Sequence, residues 1–436
     1  MRMFASDVAA RAVWLRVVTL GVVAFGVVTL STTARAQTIA ITGGTVYPVS
    51  GPKIDNGTVL IRNGRIVAVG ANIVIPDSAT RVDATGKWVT PGLVNALTNL
   101  GLSEGGGPEF SGGYNDTQAK VTDGISAAFE AVDGFNPAST LIRPTTQDGI
   151  TSVGVWPSGN WISGRGAMVQ LSGNTVDQML VKRNAGMLLN FDAVTASAGA
   201  RSAMFARLRE VLSDAKQYRL RRVQYEAGAV RTFATSRAQL EALVPVVSGE
   251  MPLVVRVDRA SDIRVVLGIA RAFALKLVIV SAAEGWQVAA ELFAAQVPVM
   301  VGAMSNIPLS FDALNSRQEN AAILHAAGVS VSLIGNGPGD PLSFNVRNIR
   351  QEAGNAVAYG MRWDDALLAV TLAPATALGV ADRVGALRTG NDADIVLWDG
   401  DPFEFATRAT AVYIRGALQT GMSREDMLTA RYRTPK

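Results

Sequence analysis

The chemistry open to this chain is bounded by the side chains it lacks. Among 436 residues there is one histidine, His325, and no cysteine. Histidine is the commonest metal ligand and the usual general base near neutral pH. A catalytic zinc ordinarily takes two or three of them. The absence of cysteine removes thiolate ligands, thiol nucleophiles and disulfides together. The remaining donors are oxygens. Glu104, Asp258, Glu284 and Asp340 follow strand-like runs, where oxygen ligands would suit Mg2+ or Ca2+. Their separations form no recognisable ligand spacing. Arg256 and Asp258 stand at i and i+2 of one run and so share a face of a strand.

The elements that would hold these residues are legible as patterns. From Thr38 to Thr90 short β-branched runs dominate, and Asn63-Gly64 between two of them is a hairpin turn signal. After Gly92 apolar runs (Thr151–Val155, Leu253–Val257, Lys276–Ser281, Val297–Gly302, Val329–Gly335) alternate with helix-period segments such as Asp262–Phe273 and Gly285–Ala295. Strands buried on both faces and separated by helices predict parallel βα units, enough of them for a (β/α)8 barrel. A last helix is expected over Asp364–Leu378, its Asp-Asp pair capping the N-terminus. Strands return at Ala393–Trp398 and Ala411–Arg415. The expected class is therefore α/β: a TIM-like (β/α)8 barrel with a small β-sandwich built from both chain ends. The expected division is 1–36 signal peptide, 37–90 first part of the sandwich, 91–380 barrel, and 381–436 second part of the sandwich.

The signal reading rests on Arg16, the apolar run Val17–Leu30, and Ala34-Arg35-Ala36, which fits small-x-small cleavage before Gln37. An uncleaved anchor starting near Val13 is the alternative. No later run is long enough to span a bilayer, so no stable membrane span is expected after removal of the signal, and the expected location is periplasmic or secreted. Residues 1–36 take four of the 40 basic and one of the 36 acidic side chains with them, which leaves the rest at +1. A nearly neutral protein offers no electrostatic case for nucleic acid.

Pro91-Gly92-Leu93-Val94-Asn95-Ala96-Leu97-Thr98-Asn99-Leu100-Gly101 is similar to the P-G-L-V-D-A-H-T-H-L-G run of the metal-dependent amidohydrolases. Ile41–Val46, Gly64–Gly70, Thr371–Val380 and Gly390–Pro402 also resemble motifs of that superfamily, nearest its exported, imidazolonepropionase-like branch. The resemblance covers nearly the whole chain after residue 36. It implies the barrel and the composite sandwich, hydrolysis of non-peptide C–N bonds, and one or two divalent metals such as zinc. The ligands it implies are substituted. Leu97 and Asn99 stand at the first-strand histidines, Arg256 at the fifth-strand histidine, Ser281 (or Ala282) at the sixth-strand histidine, and Asn336 at the eighth-strand aspartate. The fourth-strand Lys or Glu has no clear counterpart.

The implied function is a catalytically degenerate, metal-free amidohydrolase relative that serves as a binding or partner subunit. No cofactor is expected. The expected partners are a small-molecule anion, a second copy, or an intact amidohydrolase paralogue. The rival expectation is an active C–N hydrolase with a metal-free or carboxylate-based site. Arg256 has two readings: an anion clamp, or an internal ion pair with Asp258 that replaces the metal as a tie. Glu284 likewise reads either as a ligand-contacting carboxylate or as a helix N-terminal one. His325, in a helix ahead of the last strand, is expected away from the chemistry, as a structural or solvent-facing side chain. The Gly105–Gly113 segment lacks the Lys-Ser/Thr of a phosphate loop and is read as a lid.

Overall fold

The structure is a computed structural model that describes residues 38–104, 114–191, 200–304, 308, 310–335 and 345–433. The first five strands are β1 (Thr38–Val46), β2 (Ile54–Arg62), β3 (Arg65–Gly70), β4 (Thr80–Asp83) and β5 (Trp88–Pro91). Asn63 and Gly64 both have positive φ, as the β2–β3 turn requires. The chain passes directly from β5 into the barrel through β6 (Leu93–Thr98). A short hairpin of β7 (Ser103–Glu104) and β8 (Tyr114–Asn115) follows. The barrel continues with β9 (Ile150–Val155), β10 (Ile162–Gln170), β11 (Leu180–Asn190), β12 (Leu253–Val257), β13 (Leu277–Ser281), β14 (Val299–Val301) and β15 (Val331–Leu333). The end of the chain supplies β16 (Ile395–Trp398), β17 (Ala409–Ile414) and β18 (Ala417–Leu418).

β6 and β9–β15 form one eight-stranded sheet in the order β6-β9-β10-β11-β12-β13-β14-β15. Its two outer strands meet, and Asn95 of β6 reaches past β15 to donate to the Val346 carbonyl at 3.0 Å. This is the expected TIM-like barrel with one difference. β10 runs antiparallel to both its neighbours, because β9, β10 and β11 are joined by short connections and no helical crossover lies between them. Alternation along the strands separates two apolar layers. Val153, Val155, Leu253, Val255, Ile279, Val299 and Leu333 face the helices. Val94, Met168, Val254, Val278, Val280 and Met300 face the interior.

The second sheet joins both chain ends: β5 pairs with β1 on one side and with β16 on the other. It encloses its own core of Ile39, Ile41, Val59, Ile61, Val89, Ile395 and Leu397. The Gly390–Pro402 run ties this sheet to the barrel. Gln170 of β10 donates to Asp392 at 3.2 Å and to Asp394 at 3.0 Å, and Arg383 pairs with Asp392 at 2.7 Å.

The helix expected over Asp364–Leu378 is two helices, Trp363–Ala369 and Leu372–Ala377. The chain turns out of helical geometry at Thr371, whose hydroxyl bonds back to Leu367, and the freed Val370 carbonyl accepts from Val94 of β6. Asp364 and Asp365 lie in the first turn, but Arg362 holds the cap position.

Candidate functional site

In a βα barrel the residues able to act together are those at the carboxyl ends of the strands. Leu97, next to last in β6, is carbon packed in the interior cluster, 2% exposed. Its backbone N–H donates to the Asn95 side chain at 3.3 Å. Asn99 is also buried, and its Nδ2 donates to the Trp156 carbonyl at 2.6 Å. The side chain that would face a ligand from this position is thus committed to the backbone beyond β9.

Trp156 fills the interior beside them. It is 0% exposed and belongs to the same cluster as Leu97, Met168, Val280, Met300 and Ile334. Its Nε1 donates to the Ala96 carbonyl at 2.7 Å, so the buried indole N–H is satisfied. Three glycines on three strands make room for the ring. A Cβ on Gly154, Gly166 or Gly186 would come within 3.0 Å of indole atoms. The indole therefore spans from β6 to β11 and packs the barrel directly beside Leu97. Sequence reading passed over Trp156. The signal available was glycine recurring at inward-facing strand positions, which marks the close approach of a bulky neighbour.

At the next strands the register places Asn190, the last residue of β11, beside Arg256 of β12. Asn190 is the strand-end residue at the fourth place in the sheet, which the sequence left unassigned. Arg256 is partly buried. Asp258, 8% exposed, accepts from the Ala283 N–H at 3.0 Å. Glu284 is held by two donors: the Ala260 N–H at 3.0 Å and the Asn315 Nδ2 at 2.8 Å. Glu284 is the residue before the helix Gly285–Val288, as expected, but its side chain makes no cap there and instead meets the N-terminus of the preceding helix, Ala260–Phe273. Ser281 and Ala282 both adopt left-handed backbone (φ 75° and 47°) at the end of β13. Ala282 is buried, and its carbonyl accepts from the Asn320 side chain at 2.9 Å.

Asn336, Asp340 and the Gly105–Gly113 segment lie outside the described residues. Glu104 accepts from the Thr140 N–H at 2.7 Å and the Tyr114 hydroxyl at 3.2 Å, which fastens the β7–β8 hairpin. His325 lies on the helix Asn320–Ala326 with its Nε2 3.2 Å from Asp365.

Of the positions at which the resemblance puts metal ligands, Leu97, Asn99 and Arg256 do not fit a catalytic divalent metal. Leu97 has no donor atom. Asn99 offers only a neutral amide oxygen, and Arg256 brings a cation that would repel another. The neighbouring carboxylates Asp258 and Glu284 accept from N–H groups. Among the described residues no three His, Cys, Asp or Glu side chains cluster in a way that would hold a metal ion. These strand ends present carbon, an amide and a guanidinium beside an apolar barrel interior.

Comparison with known proteins places these features. Residues 266–423 match the amidohydrolase family. The chain is 23% identical over 397 residues to amidohydrolase tasK of Hapsidospora irregularis, covering 83% of this chain and 40% of that longer protein. It is 25% identical over 382 residues to an imidazolonepropionase of Acidiphilium cryptum (strain JF-5), covering 80% and 89%. The crystal structure of an amidohydrolase from Thermotoga maritima MSB8 superposes with a TM-score of 0.77 at 29% identity, covering 87% of this chain and 99% of that one.

Proposed function

We propose, from the premise that this chain belongs to the amidohydrolase family, that it is a catalytically degenerate member. In this reading the barrel carries no metal and serves as a binding or partner subunit. The observation that carries the reading is the packing beside the first barrel strand. Leu97 and the fully buried Trp156 fill with carbon the interior next to the strand end where relatives would present histidine. Loss of donors alone would leave polar, half-satisfied groups in a low-dielectric interior, which is unfavourable. Here Leu97 is apolar and Asn99 is bonded to the backbone.

The ligand proposed for the mouth is a small organic anion, with Arg256 as the group that meets its charge. The consecutive left-handed residues Ser281 and Ala282 support a retained binding role. Such backbone is unfavourable by about 1–3 kcal/mol per residue and concentrates at sites that handle ligands. We also propose export, on the strength of the Val17–Leu30 run and Ala34-Arg35-Ala36. No helix among the described residues is long and apolar enough to cross a membrane.

Elemental analysis of the purified protein tests the metal-free state. Zinc, manganese or iron at stoichiometric level overturns it. Calorimetric titration with small carboxylates tests the mouth: Arg256→Ala should remove one binding site, and an unchanged isotherm would remove Arg256 from the site. Recovery of a histidine-rich homologue in a pull-down from the native host would favour the partner role.

A further inference from the structure

We propose that a cavity of about 470 Å3 between the helix Ile349–Ala358 and the loop after β16 is an oxyanion site, which takes a small organic carboxylate or phosphate. It shares no lining residue with the strand ends at Leu97, Asn99, Arg256 and Ser281, and does not rest on the reading of Arg256. Three guanidinium groups, from Arg347, Arg350 and Arg408, line it together with one carboxylate, Asp148. Among the lining side chains cations outnumber anions by two, and Asp399 and Asp401 also act on Arg350.

Two of the three cations are fixed by backbone carbonyls in a way that keeps part of each fork available. Arg350 is 4% exposed, donates from Nε to Pro402 at 2.7 Å and from Nη2 to Thr407 at 2.8 Å, and lies over the Trp398 ring at 5.0 Å. Its Nη1 faces Asp148 at 3.9 Å. Arg408 uses Nη1 for the carbonyls of Phe405, at 3.0 Å, and Thr407, at 3.2 Å. Arg347 approaches Asp148 only to 3.7 Å. Both Asp148 contacts are longer than a hydrogen bond, so each is a charge pair with room for a further acceptor. Planar forks held in place are the geometry that recognises carboxylate and phosphate oxygens in bidentate fashion. Phe405, 80% exposed at the edge of the cavity, offers a face to an apolar substituent.

The larger cavity, about 1040 Å3 at the amino ends of β12–β14, is also basic, but three of its four cations have a structural account. Lys182 donates to the Leu378 carbonyl that ends the helix Leu372–Ala377, Arg264 pairs with Glu291, and Arg271 lies in the last turn of its helix. Cations at helix carboxyl ends answer the macrodipole. Asp148 is the one acid lining the smaller cavity, and its two loose ion pairs leave that cavity with no comparable account.

The test is isothermal calorimetry on the purified protein at low ionic strength, with inorganic phosphate and benzoate as separate probes. Saturable one-to-one binding of at least one probe is expected. Arg347→Gln and Arg408→Gln should each weaken it about tenfold or more, the scale of a charge-assisted hydrogen bond. Asp148→Asn should tighten it by removing the competing anion. Phe405→Ala should weaken benzoate alone, which separates the two ligand sources. In an Arg256→Ala background, which removes the anion site proposed at the barrel mouth, this one-to-one binding should persist. Absence of saturable heat with both probes overturns the proposal. So does binding that survives both arginine variants, or binding lost in Arg256→Ala.

Discussion

Trp156 and Gly166 are matched across adjacent barrel strands: a Cβ on Gly166 would lie within 3.0 Å of the indole ring. The ring is accommodated because residue 166 has no side chain, and Gly154 and Gly186 complete the cradle. The barrel interior at this level is a ring fitted among glycines.

That fit has a measurable signature in coupling. Gly166→Ala should destabilise the protein by about 1–3 kcal/mol through overpacking. In a Trp156→Leu background the same change should be close to neutral, because the clash partner is gone. A double-mutant cycle by denaturant unfolding checks this. Additive effects would show that the indole and Gly166 are not in contact.

A barrel organised by packing should be indifferent to chelators. Prolonged dialysis against EDTA is expected to leave the Tm unchanged, since only a ligand bound to the folded state contributes stability by mass action. A fall in Tm restored by added zinc would contradict the metal-free reading.

The sheet-to-barrel junction should carry a pH signature. Burial pushes the Asp394 carboxyl up to about 6; the Arg415 N–H and Gln170 bonds work against the rise, and Asp392 adds to it. With the folded pKa above the unfolded value, the folded state binds the proton more tightly, so this group's contribution is fully present below pH ~4. It is lost as pH rises through about 6, amounting to about 3 kcal/mol at ~1.4 kcal/mol per unit. The stability of the wild type relative to Asp394→Asn should therefore fall between pH 4 and 7. A flat difference across that range would mean that Asp394 is not held protonated by its surroundings.

Glu284 gives a prediction that separates anchoring from ligand contact. Glu284→Ala removes the acceptor for the Ala260 N–H and should lower stability by about 0.5–2 kcal/mol, the scale of a lost helix cap. Glu284→Gln keeps an acceptor and should recover most of it. If Glu284→Ala left stability intact and abolished anion binding, Glu284 would belong to the ligand site.

Much of the scaffold was legible along the chain. Leu253–Val257 is a strand with the expected ends, because an apolar β-branched run buried on both faces has no other stable placement. Asn63-Gly64 is the turn its types require. The residue types at Leu97, Asn99, Arg256 and Ser281 were also legible, since carbon, amide, guanidinium and hydroxyl groups are properties of the residue. Less visible was the end of helix periodicity at Thr371, which is broken by a hydrogen bond from β6, a strand nearly 280 positions earlier.

The sequence by itself determined which chemistry this protein has the atoms for: one histidine, no thiol, and strand ends where carbon or a cation replaces a metal donor. Only the tertiary structure decided what took that space and which carboxylates are already engaged. Trp156 comes to lie among Gly154, Gly166 and Gly186 through strand register, and Glu284 meets Ala260 and Asn315 through the packing of separate βα units. Residue type sets the donors a chain possesses. Which donors face each other is set by pairings distant in sequence, whose energies depend on close packing that no local pattern records.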